Sequence, residues 1–111
     1  MISKKNNHGV YIEGLQKYSS FKKGYGEISI KVAQIDNDKY IGTWSCSMGS
    51  WGVGRPVCDG LKIHADKENV IRECINQIKG YKDFDQSKIK SMLEDLLLVI
   101  TPKAQQLPLF L

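Results

Sequence analysis

The chain has few of the residues from which catalytic and metal sites are usually recognised. It contains only three cysteines and two histidines among 111 residues, and no two cysteines form a CxxC pair. Neither a GxxxxGK[ST] phosphate loop nor an HExxH zinc motif is present. A zinc site built from Cys46, Cys58 and His64 would have an unusual spacing and would lack a fourth ligand. We therefore expect reduced structural cysteines and no metal or cofactor, which favours a binding protein over an enzyme.

Long apolar runs are also missing. The longest apolar stretch, Leu96–Ile100, is far shorter than the roughly 20 residues that cross a bilayer. Residues 1–7 are followed by no apolar run, so we expect no signal peptide and no membrane partner. The hydrophobic fraction of 41% and the charged fraction of 25% are ordinary for a globular domain. These features together predict a cytoplasmic protein.

Acidic residues are scarce at the beginning of the chain. In residues 1–23 the only acidic residue is Glu13, whereas the remaining residues carry eleven groups of each sign. The net charge of +4 therefore arises in this segment, from Lys4, Lys5, Lys17, Lys22 and Lys23. A basic segment on a neutral body is typical of a nucleic-acid-binding surface, and DNA is the partner that we expect for it. A solvated lysine-rich arm is the alternative.

The clearest strand pattern runs from Gly26 to Ile35, where polar and β-branched apolar residues alternate. A turn at residues 36–39 separates it from a second strand, Tyr40–Met48, so the two segments predict an antiparallel hairpin with Trp44 in the core. Val57–His64 offers a third, less regular strand. Before the hairpin, residues 10–18 fit either a short strand or a helical turn, and residues 19–24 predict a loop.

The second half of the chain predicts two amphipathic helices. Asp66 can cap the first helix, for which Gly80 is a suitable C′ residue. Either Asp85 or Ser87 can cap the second helix, and Pro102 would end it. The apolar positions recur at helical spacing at Val70, Ile71, Cys74, Ile75 and Ile78, and at Ile89, Met92, Leu93, Leu96, Leu97 and Ile100.

Strands that come before helices predict the α+β class. We expect a three-stranded antiparallel sheet followed by two helices that pack on one of its faces. The sequence divides into a basic N-terminal segment (residues 1–23), an α+β domain (residues 24–101), and a linker with a terminal peptide (residues 102–111) that we expect to be disordered or extended.

A glycine-rich stretch at residues 49–56 contains Trp51 and Arg55. Its glycines suit a turn between strands, and they would also let backbone amides approach a phosphate. An exposed Trp51 beside Arg55 could stack on a nucleic-acid base, or Trp51 could fold back over the core. A small enzyme with its site in this stretch is a further alternative, and it would need a ligand there.

The last six residues combine one amide with large apolar side chains around a proline. Pro108 prevents helix and favours an extended backbone at Leu107, so the segment suits an apolar groove on a partner. Gln106, Leu107, Leu109 and Phe110 match the motif Gln-Leu-x-Leu-Phe, and Pro108 stands where Ser or Asp is commoner. The peptide thus resembles the sliding-clamp-binding motif of bacterial replication and repair proteins. The body also resembles small phage and plasmid proteins.

The resemblance implies a partner, the ring-shaped sliding clamp of the DNA polymerase. In that family the peptide occupies a hydrophobic cleft on the clamp. Gln106 would then orient the chain through hydrogen bonds, while Leu109 and Phe110 would fill the deeper pocket. The expected function is that of an accessory or inhibitory protein of replication, and we expect it to be encoded by a mobile element. The alternative for the peptide is that it folds back over the protein's own core.

Overall fold

The computed structural model describes residues 2–49, 51–82 and 84–100. The predicted terminal peptide therefore lies outside the described residues. The described elements, in chain order, are β1 (Lys4–Lys5), β2 (Tyr11–Glu13), β3 (Gln16–Lys22), β4 (Gly26–Asp36), β5 (Lys39–Met48), β6 (Trp51–Gly54), α1 (Lys67–Gly80) and α2 (Gln86–Ile100).

The hairpin of β4 and β5 forms the centre of the larger sheet, as the alternating pattern predicts. Ile30 lies opposite Trp44 and Ala33 opposite Ile41, and the strands connect through a tight turn after Asp36. Because side chains alternate between the two faces, Ile28, Ile30 and Val32 point towards the helices, and Ala33 and Ile41 point away. The α+β class is confirmed.

The sheet has four antiparallel strands in the order β3-β4-β5-β6, rather than three. The loop prediction for residues 19–24 was wrong for residues 19–22, which continue β3 along β4. Part of the glycine-rich stretch is β6. The prediction of a third strand at Val57–His64 was wrong. Within these residues, β pairing is limited to isolated bridges at Cys58 and His64.

Both helices pack on one face of the sheet, as predicted. α1 lies mainly against β5 and α2 mainly against β3. Their apolar stripes form the main core with the inward residues of β4 and with Cys46 and Phe84. Trp44 packs against this core and donates a hydrogen bond from Nε1 to Oε1 of Gln77 at 3.0 Å. Neither helix combines the length and apolar character needed to cross a membrane; this applies to the part of the chain that the structure describes.

The caps agree with the sequence in two of three cases. Asp66 accepts a hydrogen bond from the Asn69 backbone N–H at 2.8 Å, which fixes the start of α1. Asp85, rather than Ser87, caps α2, because its carboxylate accepts from the backbone N–H groups of Ser87 and Lys88. Gly80 is the last helical residue and not the C′ residue, and Tyr81 forms the cap. Pro102 lies outside the described residues.

The face of the sheet that points away from the helices is covered only in part. β1 and β2 form a separate two-stranded sheet at that side, and Tyr11, Ala33, Ile41 and Val57 make a small second core. Ser3 ties this layer to β4, since its backbone N–H donates to the carbonyl oxygen of Gln34 at 2.7 Å. β3 also falls within the first 23 residues, but it is an edge strand of the larger sheet.

Candidate functional site

A groove of about 710 Å³ opens at one end of the larger sheet. It lies where the turn between β3 and β4 comes next to the connection between β5 and β6. Its lining includes three aromatic side chains, Phe21, Tyr25 and Trp51, together with Lys88 from α2. We call this feature the aromatic groove.

Two of these aromatic rings are unusually accessible. Phe21 lies on the side of β3 that points away from the helices, opposite Glu27 of β4, and it is 71% exposed. Trp51 lies on the helix side of β6 opposite Met48, and it is 41% exposed. Large aromatic side chains normally supply much of a core, so two accessible rings along one groove suggest a binding surface.

Trp51 is held in place by contact with a cluster of aromatic side chains. The centroid of its ring lies 5.7 Å from that of Phe84, which is buried. Phe84 also contacts Tyr81 and Trp44, with centroid separations of 4.7 Å and 5.9 Å. One face of Trp51 is thus anchored while part of the ring meets solvent.

Two lysines flank the third ring. Nζ of Lys22 lies 5.2 Å from the Tyr25 ring centroid, and Nζ of Lys88 lies 5.8 Å from it. Lys22 is fixed by Ser91 Oγ at 2.5 Å and by Asp95 Oδ2 at 3.5 Å, both on α2. Lysine side chains can bind the phosphates of a nucleic acid, and aromatic rings beside them can stack on its bases.

Two carboxylates also line the groove. Glu27 is exposed on β4. Asp85 is occupied as the cap of α2, where hydrogen bonds from the Ser87 hydroxyl and the Lys88 backbone N–H hold the pKa of its carboxyl below the ordinary value. These negative charges oppose the lysines, so binding of a nucleic acid here would rely on stacking more than on charge.

The structure does not bring all the residues predicted for nucleic-acid binding together. Trp51 lines the aromatic groove and Lys22 contacts Tyr25 beside it, while Lys23 lies in the adjoining turn. Lys17 lies on the open face of the sheet opposite Lys31. Lys4 and Lys5 belong to the separate two-stranded sheet, where Lys5 pairs with Asp59 at 2.9 Å. Arg55 lines another cavity, beside α1.

Sequence reasoning missed Phe21, Tyr25 and Lys88 as members of a common surface. Phe21 and Tyr25 fall around a segment predicted to be a loop, and the inward positions of β3 are largely polar, so no alternation marks the strand. Lys88 reaches the groove only because α2 packs across β3, which its own sequence does not indicate. Trp51, which lines the groove, and Lys22, which lies beside it, were among the residues predicted for nucleic-acid binding.

The cysteines form no site with His64. Cys46 and Cys74 are buried in the main core, where burial raises the pKa of the first thiol to about 11 and of the second to about 12. Nε2 of His64 instead pairs with Oε2 of Glu73 at 2.5 Å. Within residues 2–49, 51–82 and 84–100, no group of three or more His, Cys, Asp or Glu side chains is placed to hold a metal ion.

Comparison with known proteins adds no assignment to this geometry. No protein-family model matches the chain, and no curated protein or solved structure is significantly similar to it. Functional inference therefore depends on the residues themselves.

Proposed function

We propose that this protein binds the bacterial DNA polymerase sliding clamp through residues 106–111 and acts on replication as an accessory or inhibitory protein. The observation that carries the proposal is the resemblance of Gln106, Leu107, Leu109 and Phe110 to the clamp-binding motif. These residues lie outside the described part of the chain, so the support comes from their sequence.

The physical basis of the proposal is burial of apolar side chains in the clamp cleft. Fully burying Leu107, Leu109 or Phe110 contributes about 1.5–3 kcal/mol each. Ordering the peptide and restricting two molecules to one complex oppose this gain, so a dissociation constant in the micromolar range or weaker is expected. Five residues separate Ile100 from Gln106, and this linker spans at most roughly 20 Å. A bound clamp would therefore stay close to the end of α2.

The first experiment is calorimetric titration of a purified bacterial sliding clamp with the intact protein and with Leu109→Ala/Phe110→Ala. We expect the double variant to bind at least about a hundredfold more weakly, since two anchors are lost. Pro108→Ser is the matched control, because it changes the variable position of the motif. Replacing Pro108 makes the free peptide more flexible, and this should weaken clamp binding by less than about fivefold.

The same variants distinguish the alternative in which the peptide packs on the protein's own core. In that case the intact protein would not bind the clamp, and the double variant would unfold at a lower denaturant concentration. Binding that survives the double substitution would also reject the proposal. A primer-extension assay with clamp and polymerase would then show whether the bound protein assists or blocks synthesis.

A second candidate function is binding of single-stranded nucleic acid, and the aromatic groove is the observation that favours it. Base stacking on an aromatic side chain is worth about 1–3 kcal/mol per base, and it tolerates any sequence. Phe21, Tyr25 and Trp51 supply three rings, and Lys22 and Lys88 supply the nearby charges. Of the N-terminal lysines, Lys22 lies beside the groove, whereas Lys4, Lys5 and Lys17 lie elsewhere on the molecule.

The test is fluorescence anisotropy with a labelled oligothymidylate. Phe21→Ala should weaken binding about fivefold to a hundredfold, whereas Ile12→Ala, which removes an exposed apolar side chain from the other sheet, should not. Affinity should also decrease as salt concentration rises, because lysine–phosphate contacts release counterions. Equal binding by Phe21→Ala and the intact protein would reject the aromatic groove as the nucleic-acid site. Clamp binding through apolar contacts should change little with salt.

A further inference from the structure

A separate cavity of about 270 Å³ lies between the outer edge of β5 and α1. On this edge β6 pairs with β5 from Ser45 to Met48, and His64 pairs with Tyr40. Among the described residues, no bridge partner occupies the edge at residues 41–44. The sheet therefore has a gap about four residues long, or roughly 13 Å.

Backbone groups of β5 point into this gap. The Tyr40 N–H donates to the His64 carbonyl oxygen at 2.9 Å, and the His64 N–H donates to the Tyr40 carbonyl oxygen at 2.8 Å. Alternate residues of a strand direct their N–H and C=O groups to the same edge, so Gly42 and Trp44 direct theirs to the side of His64. Both residues line the cavity. The register of β5 and β6 places Arg55 opposite Trp44, so an added strand could pair with both backbone groups of Gly42 and with the N–H of Trp44.

The charges around the cavity are unequal. Oε2 of Glu73 contacts Nε2 of His64 at 2.5 Å, and Oε1 of Glu73 lies 3.9 Å from Lys62 Nζ. Arg55 follows Gly54 at the β6 end of the cavity, and among the described residues no carboxylate lies within ion-pair distance of it. Its Nη2 lies 4.0 Å from Cys58 Sγ. A guanidinium without a carboxylate partner is suited to bind an anionic group.

The remaining walls are largely apolar. Val53, Leu61 and Val70 line the cavity beside the indole of Trp44. The indole is oriented by its hydrogen bond to Gln77. An apolar side chain could be accommodated between these residues. The combination of an unpaired strand edge, apolar walls and a guanidinium without a carboxylate partner occurs in sites that capture the end of a peptide.

We propose that this cavity binds the free carboxyl terminus of a short apolar peptide, which adds two or three residues as a strand beside β5. The peptide carboxylate pairs with the Arg55 guanidinium, and its backbone pairs with Gly42 and Trp44. Because Arg55 lies towards the Ser45 end of the gap, the peptide runs parallel to β5. The volume is at the lower limit of ordinary ligand pockets, which restricts the bound part to the last few residues. The proposal does not depend on residues 106–111.

The test is nuclear magnetic resonance titration of the full-length protein with acetyl-Gly-Val-Leu as the free acid and as the carboxamide. With the acid, we expect the backbone amide signals of Gly42 and Trp44 to shift and their exchange with solvent to slow. Arg55→Gln should weaken binding of the acid about tenfold or more, because a charged hydrogen bond is lost. Arg72→Gln, on the exposed side of α1 and outside this cavity, is the matched control and should bind as the intact protein does.

Several outcomes would overturn the proposal. Equal binding of the acid and the carboxamide would show that Arg55 captures no carboxylate. Binding without a change at Gly42 and Trp44 would show that no strand is added to β5. Absence of any shift at millimolar peptide would show that the cavity does not accept a peptide end. Arg55 is exposed, so the Arg55→Gln protein should keep its fold and can be checked by its unperturbed core signals.

Discussion

The Trp51 ring stands 5.7 Å from the ring of Phe84, centroid to centroid, with an angle of 35° between their planes. Trp51 belongs to the edge strand β6, whereas Phe84 belongs to the connection between the two helices. The contact therefore joins the sheet edge to the helical layer. It also fixes one wall of the aromatic groove, since the buried ring of Phe84 supports the accessible ring of Trp51.

Replacement of Phe84 should be strongly destabilising. Phe84→Ala removes a side chain that is only 4% exposed, and such changes usually lower the free energy of unfolding by about 3–5 kcal/mol. Denaturant unfolding measures the loss. Phe21→Ala is the control, because the 71% exposed ring should contribute less than about 0.5 kcal/mol. Similar losses in the two variants would contradict the assignment of Phe84 to the core and Phe21 to the surface.

The three thiols should differ in reactivity. Cys46 and Cys74 are buried, and burial raises the pKa of each, so very little thiolate is present near neutral pH. Cys58 is partly exposed. A disulfide reagent added to the native protein at pH 8 should therefore modify one thiol per chain quickly and the other two only after denaturation.

Cys58→Ser identifies the fast thiol. This variant should show no rapid phase while its slow phase is unchanged. Two fast thiols in the native protein, or a rapid phase that survives in Cys58→Ser, would show that one of the buried cysteines is accessible through opening of the core.

The sequence predicted those parts of the fold in which burial follows a regular period. The hairpin of β4 and β5 alternates strictly, and the helices carry continuous apolar stripes, so both were identified with their main caps. β3 was not predicted, because its inward-facing residues include the polar side chains of Ser20 and Lys22. Lys22 is acceptable there because it pairs with Asp95 and Ser91 of α2, a relationship between distant parts of the chain.

β6 was missed for a different reason. Its glycines suggest a turn, yet they also allow close approach of two strands. A Cβ at Gly54 would collide with the Cβ of Ser45, so glycine here reflects packing against β5. The aromatic groove was also predicted only in part. Trp51 could be recognised in the sequence, whereas the positions of Phe21 and Tyr25 depend on the register of β3 and β4.

A side chain at position 42 should separate α1 from the sheet. A Cβ added to Gly42 would collide with Cγ1 of Val70 and would lie 2.7 Å from the Lys31 carbonyl oxygen. Gly42→Ala should thus lower the free energy of unfolding by about 1–3 kcal/mol, as overpacking usually does. Gly80→Ala is the matched control, because a Cβ there meets nothing within 4 Å. It should stabilise α1 by up to about 1 kcal/mol. A loss of stability in Gly80→Ala equal to that in Gly42→Ala would contradict this explanation.

Acid should weaken the start of α2 through Asp85. Hydrogen bonds from the Ser87 hydroxyl and from the Lys88 and Ser87 backbone N–H groups lower the pKa of this carboxyl from its ordinary value of 3.8. A carboxyl whose pKa is lower in the folded state binds protons more readily when unfolded. Its contribution to stability is therefore complete above pH 3.8 and disappears as the pH falls through the lower folded-state value.

Asp85→Asn isolates this contribution. The side chain keeps an acceptor oxygen for the cap but cannot be protonated in this range, so the difference in stability between the original protein and the variant should shrink as pH falls from 5 to 2, values chosen to bracket an ordinary carboxyl pKa of about 4. Urea unfolding midpoints at several pH values measure that difference. Asp38→Asn is a suitable control, since Asp38 is exposed in the turn between β4 and β5. A difference for Asp85→Asn that stays constant with pH would show that the carboxylate charge adds nothing to the cap and that the acceptor geometry alone matters.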